Sequence, residues 1–452
     1  MTQHPTQPSS EWLKLQPARQ QMTRRQMLWL MSLASGGIMT GCSVNPATGQ
    51  RQLMLMSAAE ERRIDAQHAP HQISADYGRV QDAELFNYVS EVGDSIGRLS
   101  HRPEMPYSYN ALNANYVNAY AFPGGTIGIT RGILLTMESE AELAALVGHE
   151  VAHVTARHTA QRMTKGTLAG LVVAGTGIFL GTRSDSTTTA LALGLGGIAA
   201  GALLAKYSRS DEREADTLGL EYMTQAGYSP QGMVDLMDRL QSLSQRQPSV
   251  IEQMFSSHPM SSERYRDAQR QASGRYASKQ NQPMQRERYM DKTAGLRRMK
   301  PAIEKQQQAE AYFAQGEYAQ AETLLKTALQ QAPNDYVGLV MLGKVYLAQE
   351  NFAQAAPHLN QAVEIYPEEA QAQHLSGVAL LYQRQPEQAL QRFETYKTLL
   401  PGNPMTEFFI GLSHESLEQI PQASQAYRRF LEMGGSGEPA RYARDRLQTW
   451  GA

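Results

Sequence analysis

Two histidines four residues apart with a glutamate beside the first, His149-Glu150-x-x-His153, are the residues of this chain whose spacing speaks most directly of chemistry. At about 100° per residue, a helix sets the two imidazoles about 40° apart on one face and one turn apart, so both can reach one Zn²⁺. Glu150 falls on the same side, where a carboxylate can take a proton from metal-bound water. A catalytic zinc needs a third protein ligand and an open position. His158 lies about 140° round a continuing helix from His153 and is expected as a solvated helix residue. The string Ser208-Arg209-Ser210-Asp211-Glu212-Arg213-Glu214-Ala215-Asp216 is better placed. Its Glu212 and Asp216 share a helix face, whereas Glu214 points about 200° away from Glu212. One of these two carboxylates could bind the metal while the other accepts the free N–H of a ligating histidine.

These side chains need elements to hold them. Residues 140–154 are strong helix formers interrupted only by Gly148. The full length of 452 residues suggests about two to four domains. With 42 Lys+Arg against 44 Asp+Glu there is no basic field, and nucleic acid is not expected as a partner. A single cysteine excludes a disulfide framework and multi-Cys metal sites.

That cysteine has a telling place. Arg24-Arg25 opens a modestly apolar stretch containing Gly36 and Gly37, which ends in Met39-Thr40-Gly41-Cys42. The layout is that of a twin-arginine-like signal peptide over 1–41, with Cys42 in a lipobox as the lipidated first residue of the mature chain. The motif resembles a bacterial lipobox, and Ser43 follows it in place of the Asp that commonly marks inner-membrane retention. The resemblance thus implies the outer membrane as destination, with a lipid that anchors the chain without spanning the bilayer.

Self-similarity governs the C-terminal third. Ala321, Ala355, Ala389 and Ala423 are spaced 34 apart, as are Gly343, Gly377 and Gly411, and Pro333, Pro367 and Pro401. Small residues let helix axes approach, and proline ends a helix. The period resembles tetratricopeptide repeats and predicts an α-solenoid over 302–450, whose groove binds extended peptides or partner termini. Residues 272–301, rich in Gln, Arg, Lys and Ser, read as a linker or exposed helical connection.

With His149-Glu150-x-x-His153 followed by Glu212-x-x-x-Asp216, the region 42–271 resembles the family-forty-eight zinc metallopeptidases, a gluzincin group. Asn45-Pro46-Ala47-Thr48-Gly49, the segment Asn118 to Gly125 with Ile127-Gly128-Ile129, and Ser257-His258-Pro259 with Arg264 extend the resemblance. The appended repeats are similar to those of the BepA-like subgroup. The resemblance implies a mainly α fold: a protease domain with a small β-sheet, followed by the solenoid. It implies zinc ligands His149, His153 and Glu212, one ion per chain, with Glu150 as general base and acid. Asp216 would orient His149 or His153. His258 and Arg264 would stand near the metal and stabilise the oxyanion, or His258 would fill the fourth zinc position and hold the enzyme off. A substrate main chain would add to the strand near Asn118–Phe122.

The activity implied is a periplasmic zinc metalloendopeptidase acting on unfolded or misassembled outer-membrane proteins, with the barrel-assembly machinery as partner. The alternative is a chaperone or adaptor with a latent protease domain. Between the two motifs, 166–204 holds Gly- and Ala-rich apolar segments too short for a comfortable span of about 20 residues. They are expected as buried or membrane-facing helices partly covering the cleft.

Overall fold

The computed structural model describes residues 42–164 and 206–451, so the signal peptide and the Gly-rich stretch 166–204 lie outside the described residues. Among these, the chain divides into two compact units, one of 42–164 with 206–307 and one of 308–451. The fold is mainly α with a small sheet, and no helix among the described residues is long and apolar enough to cross a membrane.

In the first unit, β1 (Cys42–Val44) and β2 (Arg51–Leu53) form an antiparallel hairpin. A second sheet has the order β3-β5-β4, with β3 (Ser108–Leu112) parallel to β5 (Thr126–Thr130) and β4 (Ala119–Ala121) antiparallel to it at the edge. The helix Glu140–Thr155 runs through the core and is buried along its whole length. Burial of its acidic first turn costs heavily unless each charge is paired. Glu140 accepts from Tyr88 and Tyr228, each at 2.9 Å, and from Arg288 at 2.8 Å, while Arg239 pairs with Glu142 at 2.8 Å. Ser139 caps the same end by accepting from the Glu142 N–H. At the other end Arg102 donates to Val154 O at 3.0 Å, and the buried Glu61 pairs with both Arg102 and Arg157.

The helix Arg209–Gln225 starts at Ser208 in a capping box with Asp211 and crosses the first helix at two glycines. A Cβ on Gly148 would meet Gly219 O at 2.9 Å, and one on Gly219 would meet His149 N at 2.9 Å. The backbones therefore touch beside His149. Gly148→Val should push the helices apart, destabilising the fold by at least the upper end of about 1–3 kcal/mol. Chemical denaturation would check it, and a variant as stable as the parent would remove this crossing from the account.

The segment expected as a linker is different in the structure. Tyr289 is fully buried and donates to Leu134 O at 2.6 Å, and Leu296 joins the same apolar core. Residues 272–301 thus pack as part of the first unit. Single aromatic anchors within polar helices leave no periodic apolar signal in the sequence.

The second unit is a stack of antiparallel helical pairs, from Tyr336–Ala348 with Phe352–Ile365 through Ala370–Tyr382 with Pro386–Leu399 to Pro404–Ser416 with Ile420–Glu432. The period becomes contact: Gly343 receives Leu359, Gly377 receives Phe393 and Gly411 receives Tyr427, with no room for a Cβ at any of the three. Glu350, Arg384 and Glu418, also 34 apart, adopt positive φ just after the first helix of each of these pairs, and Gly316, 34 residues earlier, does the same after the helix Lys300–Ala314.

Candidate metal centre

Four side chains from three segments converge in the first unit. His149 and His153 come from the buried helix, Glu212 from the helix that crosses it at Gly219, and His258 from the end of the helix Pro248–Ser257. One ligand atom from each lies within 4.8 Å of all the others. His149 Nε2 is 3.1 Å from His153 Nε2, and His153 Nε2 is 3.4 Å from Glu212 Oε1. His258 Nδ1 is 3.0 Å from Glu212 Oε1 and 3.4 Å from His149 Nε2.

These separations match the edge of about 3.3 Å of a tetrahedron whose bonds are about 2.0–2.1 Å. Three imidazole nitrogens and a carboxylate oxygen turned toward one another inside a buried cluster suit a shared cation. Both oxygens of Glu150 are buried and lack a hydrogen-bond partner among the described residues, with Oε1 3.8 Å from His258 Nε2. The donor set thus fits one divalent ion with a carboxylate left over beside it.

Electrostatics separates the two glutamates. Burial raises the Glu150 carboxyl above the ordinary carboxylate value, with His258 and His149 opposing it incompletely. Burial also pushes Glu212 upward, but the facing His258, His153 and His149 outweigh it and hold it well below the ordinary value. Glu212 is thus the permanent anion, and Glu150 the group nearer to exchanging a proton.

Of the two histidines of the motif, Asp216 meets His149, accepting from its Nδ1 at 3.0 Å. Arg264 grips Asp216 with two bonds of 2.7 Å, donates to Pro259 O at 3.0 Å and approaches Glu212 Oε2 at 2.5 Å. Its guanidinium is occupied with holding two carboxylates, not extended toward an open position.

His158 corrects the sequence reading. Expected in solvent, it is 1% exposed, and its Nδ1 lies 2.9 Å from His153 Nδ1. The helix ends at Thr155 and Arg157 takes φ 62°, so the chain turns before His158 and the 100° rule stops applying. Tyr207 was also missed: its ring stacks on His153 at 3.8 Å between centroids, and its hydroxyl bonds Thr159 at 2.9 Å. Its neighbour Ser208 was singled out, but nothing in the local string marks an aromatic as stacking on a distant ring.

Residues 83–272 match the model of Peptidase family M48, and residues 312–379 match that of a tetratricopeptide repeat. The chain is 30% identical over 206 residues to the Beta-barrel assembly-enhancing protease of Yersinia pestis, covering 44% of this chain and 42% of that protein. It is 27% identical to the Metalloprotease LoiP of Escherichia coli (strain K12), covering 54% of this chain and 94% of that protein. The match spans about two fifths of the length of the beta-barrel assembly-enhancing proteases. Among solved structures, YrrB, a TPR protein with an unusual peptide-binding site, aligns at 17% identity and a TM-score of 0.32, covering 46% of this chain and 99% of that one.

Proposed function

Because the chain joins a Peptidase family M48 domain to tetratricopeptide repeats, we propose that it is a zinc metalloendopeptidase of the bacterial envelope, with one Zn²⁺ per chain held by His149, His153 and Glu212. The observation that carries this reading is the convergence of these donors beside a buried Glu150 whose oxygens have no hydrogen-bond partner among the described residues. Bound there, zinc supplies Lewis-acid polarisation of a peptide carbonyl and brings the pKa of a water near 7. The residues of the chain do the rest. Glu150 takes the proton of the attacking water and delivers it to the leaving amine, and its raised pKa suits both transfers. Asp216 keeps His149 in the tautomer that presents Nε2, and Arg264 keeps Asp216 and Glu212 in place. A substrate main chain pairs with the edge strand β4, which reads backbone more than side chain.

With zinc bound, His258 Nδ1 would compete for the place that water or substrate needs; its position within the donor cluster supports reading the chain as latent until His258 moves away. His258→Ala should keep one zinc per chain and raise basal cleavage. If about a tenth of molecules are open in the parent, the rise is about tenfold. Basal cleavage unchanged by the substitution would take His258 out of the control of the site.

The name of the Yersinia relative speaks of β-barrel assembly, which supports β-barrel proteins as clients; misassembled outer-membrane proteins as those clients, and the barrel-assembly machinery as partner, are part of this proposal. In this reading the signal at 1–41 exports the chain to the periplasm, a lipid on Cys42 anchors it to the outer membrane, and the repeats recruit clients. A second reading, a chaperone or adaptor with a silenced protease domain, is favoured by the placement of His258 alone. The discriminating experiment measures metal content and chelator-sensitive casein cleavage on the purified mature chain. One zinc and chelator-blocked cleavage are expected. A metal-free chain sinks the enzymatic reading, and a zinc-loaded chain that never cleaves leaves the adaptor.

A further inference from the structure

We infer that His158, Glu214 and Asn45 are positioning residues that orient His153 and tie it to the N-terminal hairpin; this rests on the zinc reading above.

His149 has a carboxylate on its outer nitrogen, but His153 does not. Its Nδ1 faces His158 Nδ1 at 2.9 Å, and two ring nitrogens can share only one proton. A neutral His153 that ligates through Nε2 carries its proton on Nδ1 and must donate it. His158 Nδ1 must then accept, which places the His158 proton on Nε2. That nitrogen is buried, has no hydrogen-bond partner within ordinary geometry among the described residues, and faces Glu214 Oε2 at 3.5 Å. The other Glu214 oxygen accepts from Asn45 Nδ2 at 2.7 Å.

Asn45 is itself fixed. It is 4% exposed, its Oδ1 accepts from Ala47 N at 2.9 Å, and its backbone N–H donates to Gln50 O at 2.8 Å across the turn between β1 and β2. The line Asn45, Glu214, His158, His153 therefore connects the hairpin to a metal ligand. It runs beside the line Arg264, Asp216, His149 that serves the other imidazole. Glu214 points away from the metal, as its helical angle requires, and that direction is what lets it reach His158. Tyr207 covers the His153 ring face, so the relay needs to fix only the in-plane direction of its nitrogens.

Losing the outer partner of a ligating histidine typically costs about 10–100-fold in metal affinity. The test uses the full mature chain, a chelating-dye competition for Zn²⁺ and the visible spectrum of the Co²⁺-substituted protein. His158→Phe fills the volume but accepts nothing, so zinc should bind about 10–100-fold more weakly and the cobalt bands should shift, while the apoprotein melts as the parent does. His158→Asn, whose amide can accept from His153 and donate to Glu214, should restore most of the affinity. Parental affinity and spectrum in His158→Phe, or an equal loss in the Phe and Asn variants, would overturn the inference. If His158→Phe does not fold, Glu214→Ala and Asn45→Ala carry the same test: weaker zinc binding is expected in both, and parental affinity in both would overturn it. A parent chain that binds no zinc brings down the metal reading itself. A zinc-binding parent with indifferent variants brings down this inference alone.

Discussion

Glu150→Gln should abolish proteolysis and leave one zinc per chain. The substitution keeps the volume and removes the base. The Glu150 oxygens have no hydrogen-bond partner among the described residues, so the change breaks no bond that holds the fold. It also removes a carboxyl that burial already disfavours as an anion, so stability should stay level or rise. General acid–base catalysis contributes about 10²–10⁴-fold, and Glu150 is proposed for both proton transfers, so the loss should reach the upper part of that range. Initial rates on a fluorogenic unfolded substrate, beside metal analysis of the same sample, check it. Substantial turnover with zinc in place would defeat the assignment of Glu150.

Glu212→Gln should fail in the opposite order, losing the metal first and activity as a consequence. Glu212 is fully buried and held as an anion by three imidazoles, and Arg264 approaches it as well. Neutralising it leaves a buried guanidinium with one of its two carboxylates and the cation site without its only charged ligand. Breaking such a buried pair costs about 3–5 kcal/mol of fold stability, and loss of a ligand should weaken metal binding by more than the roughly 10–100-fold that loss of a ligand's outer partner costs. Zinc competition and thermal melting with and without added metal would measure it. The contrast between the two glutamates is diagnostic: Gln at 150 separates metal from activity, and Gln at 212 loses both together. Parental zinc affinity in Glu212→Gln would remove it from the ligand set.

Much of this was legible because helical spacing is a local property. A spacing of four positions from His149 to His153, and from Glu212 to Asp216, puts each pair on one helix face whatever the tertiary context. The 34-residue period was legible for a similar reason: each repeat solves the same packing problem, so Gly343, Gly377 and Gly411 recur where Leu359, Phe393 and Tyr427 need room. Where sequence and structure part, the cause is shared. The helix that would carry His158 into solvent ends before it, and the burial of 272–301, by composition a linker or exposed helical connection, rests on Tyr289 and Leu296, isolated apolar anchors in a polar string.

The sequence by itself determined which atoms could bind a divalent ion and which carboxylate could move a proton, since residue chemistry and spacing along one helix do not depend on the rest of the chain. Tertiary structure alone decided which imidazole Asp216 serves, that Arg264 is spent on carboxylates, and that His158 backs His153. Those choices rest on where two helices cross at Gly148 and Gly219, and on a turn at Arg157. The first is a meeting of backbones distant in sequence, and the second is pinned by the Arg157 side chain on Glu61 and Met56 O, so no local pattern records either.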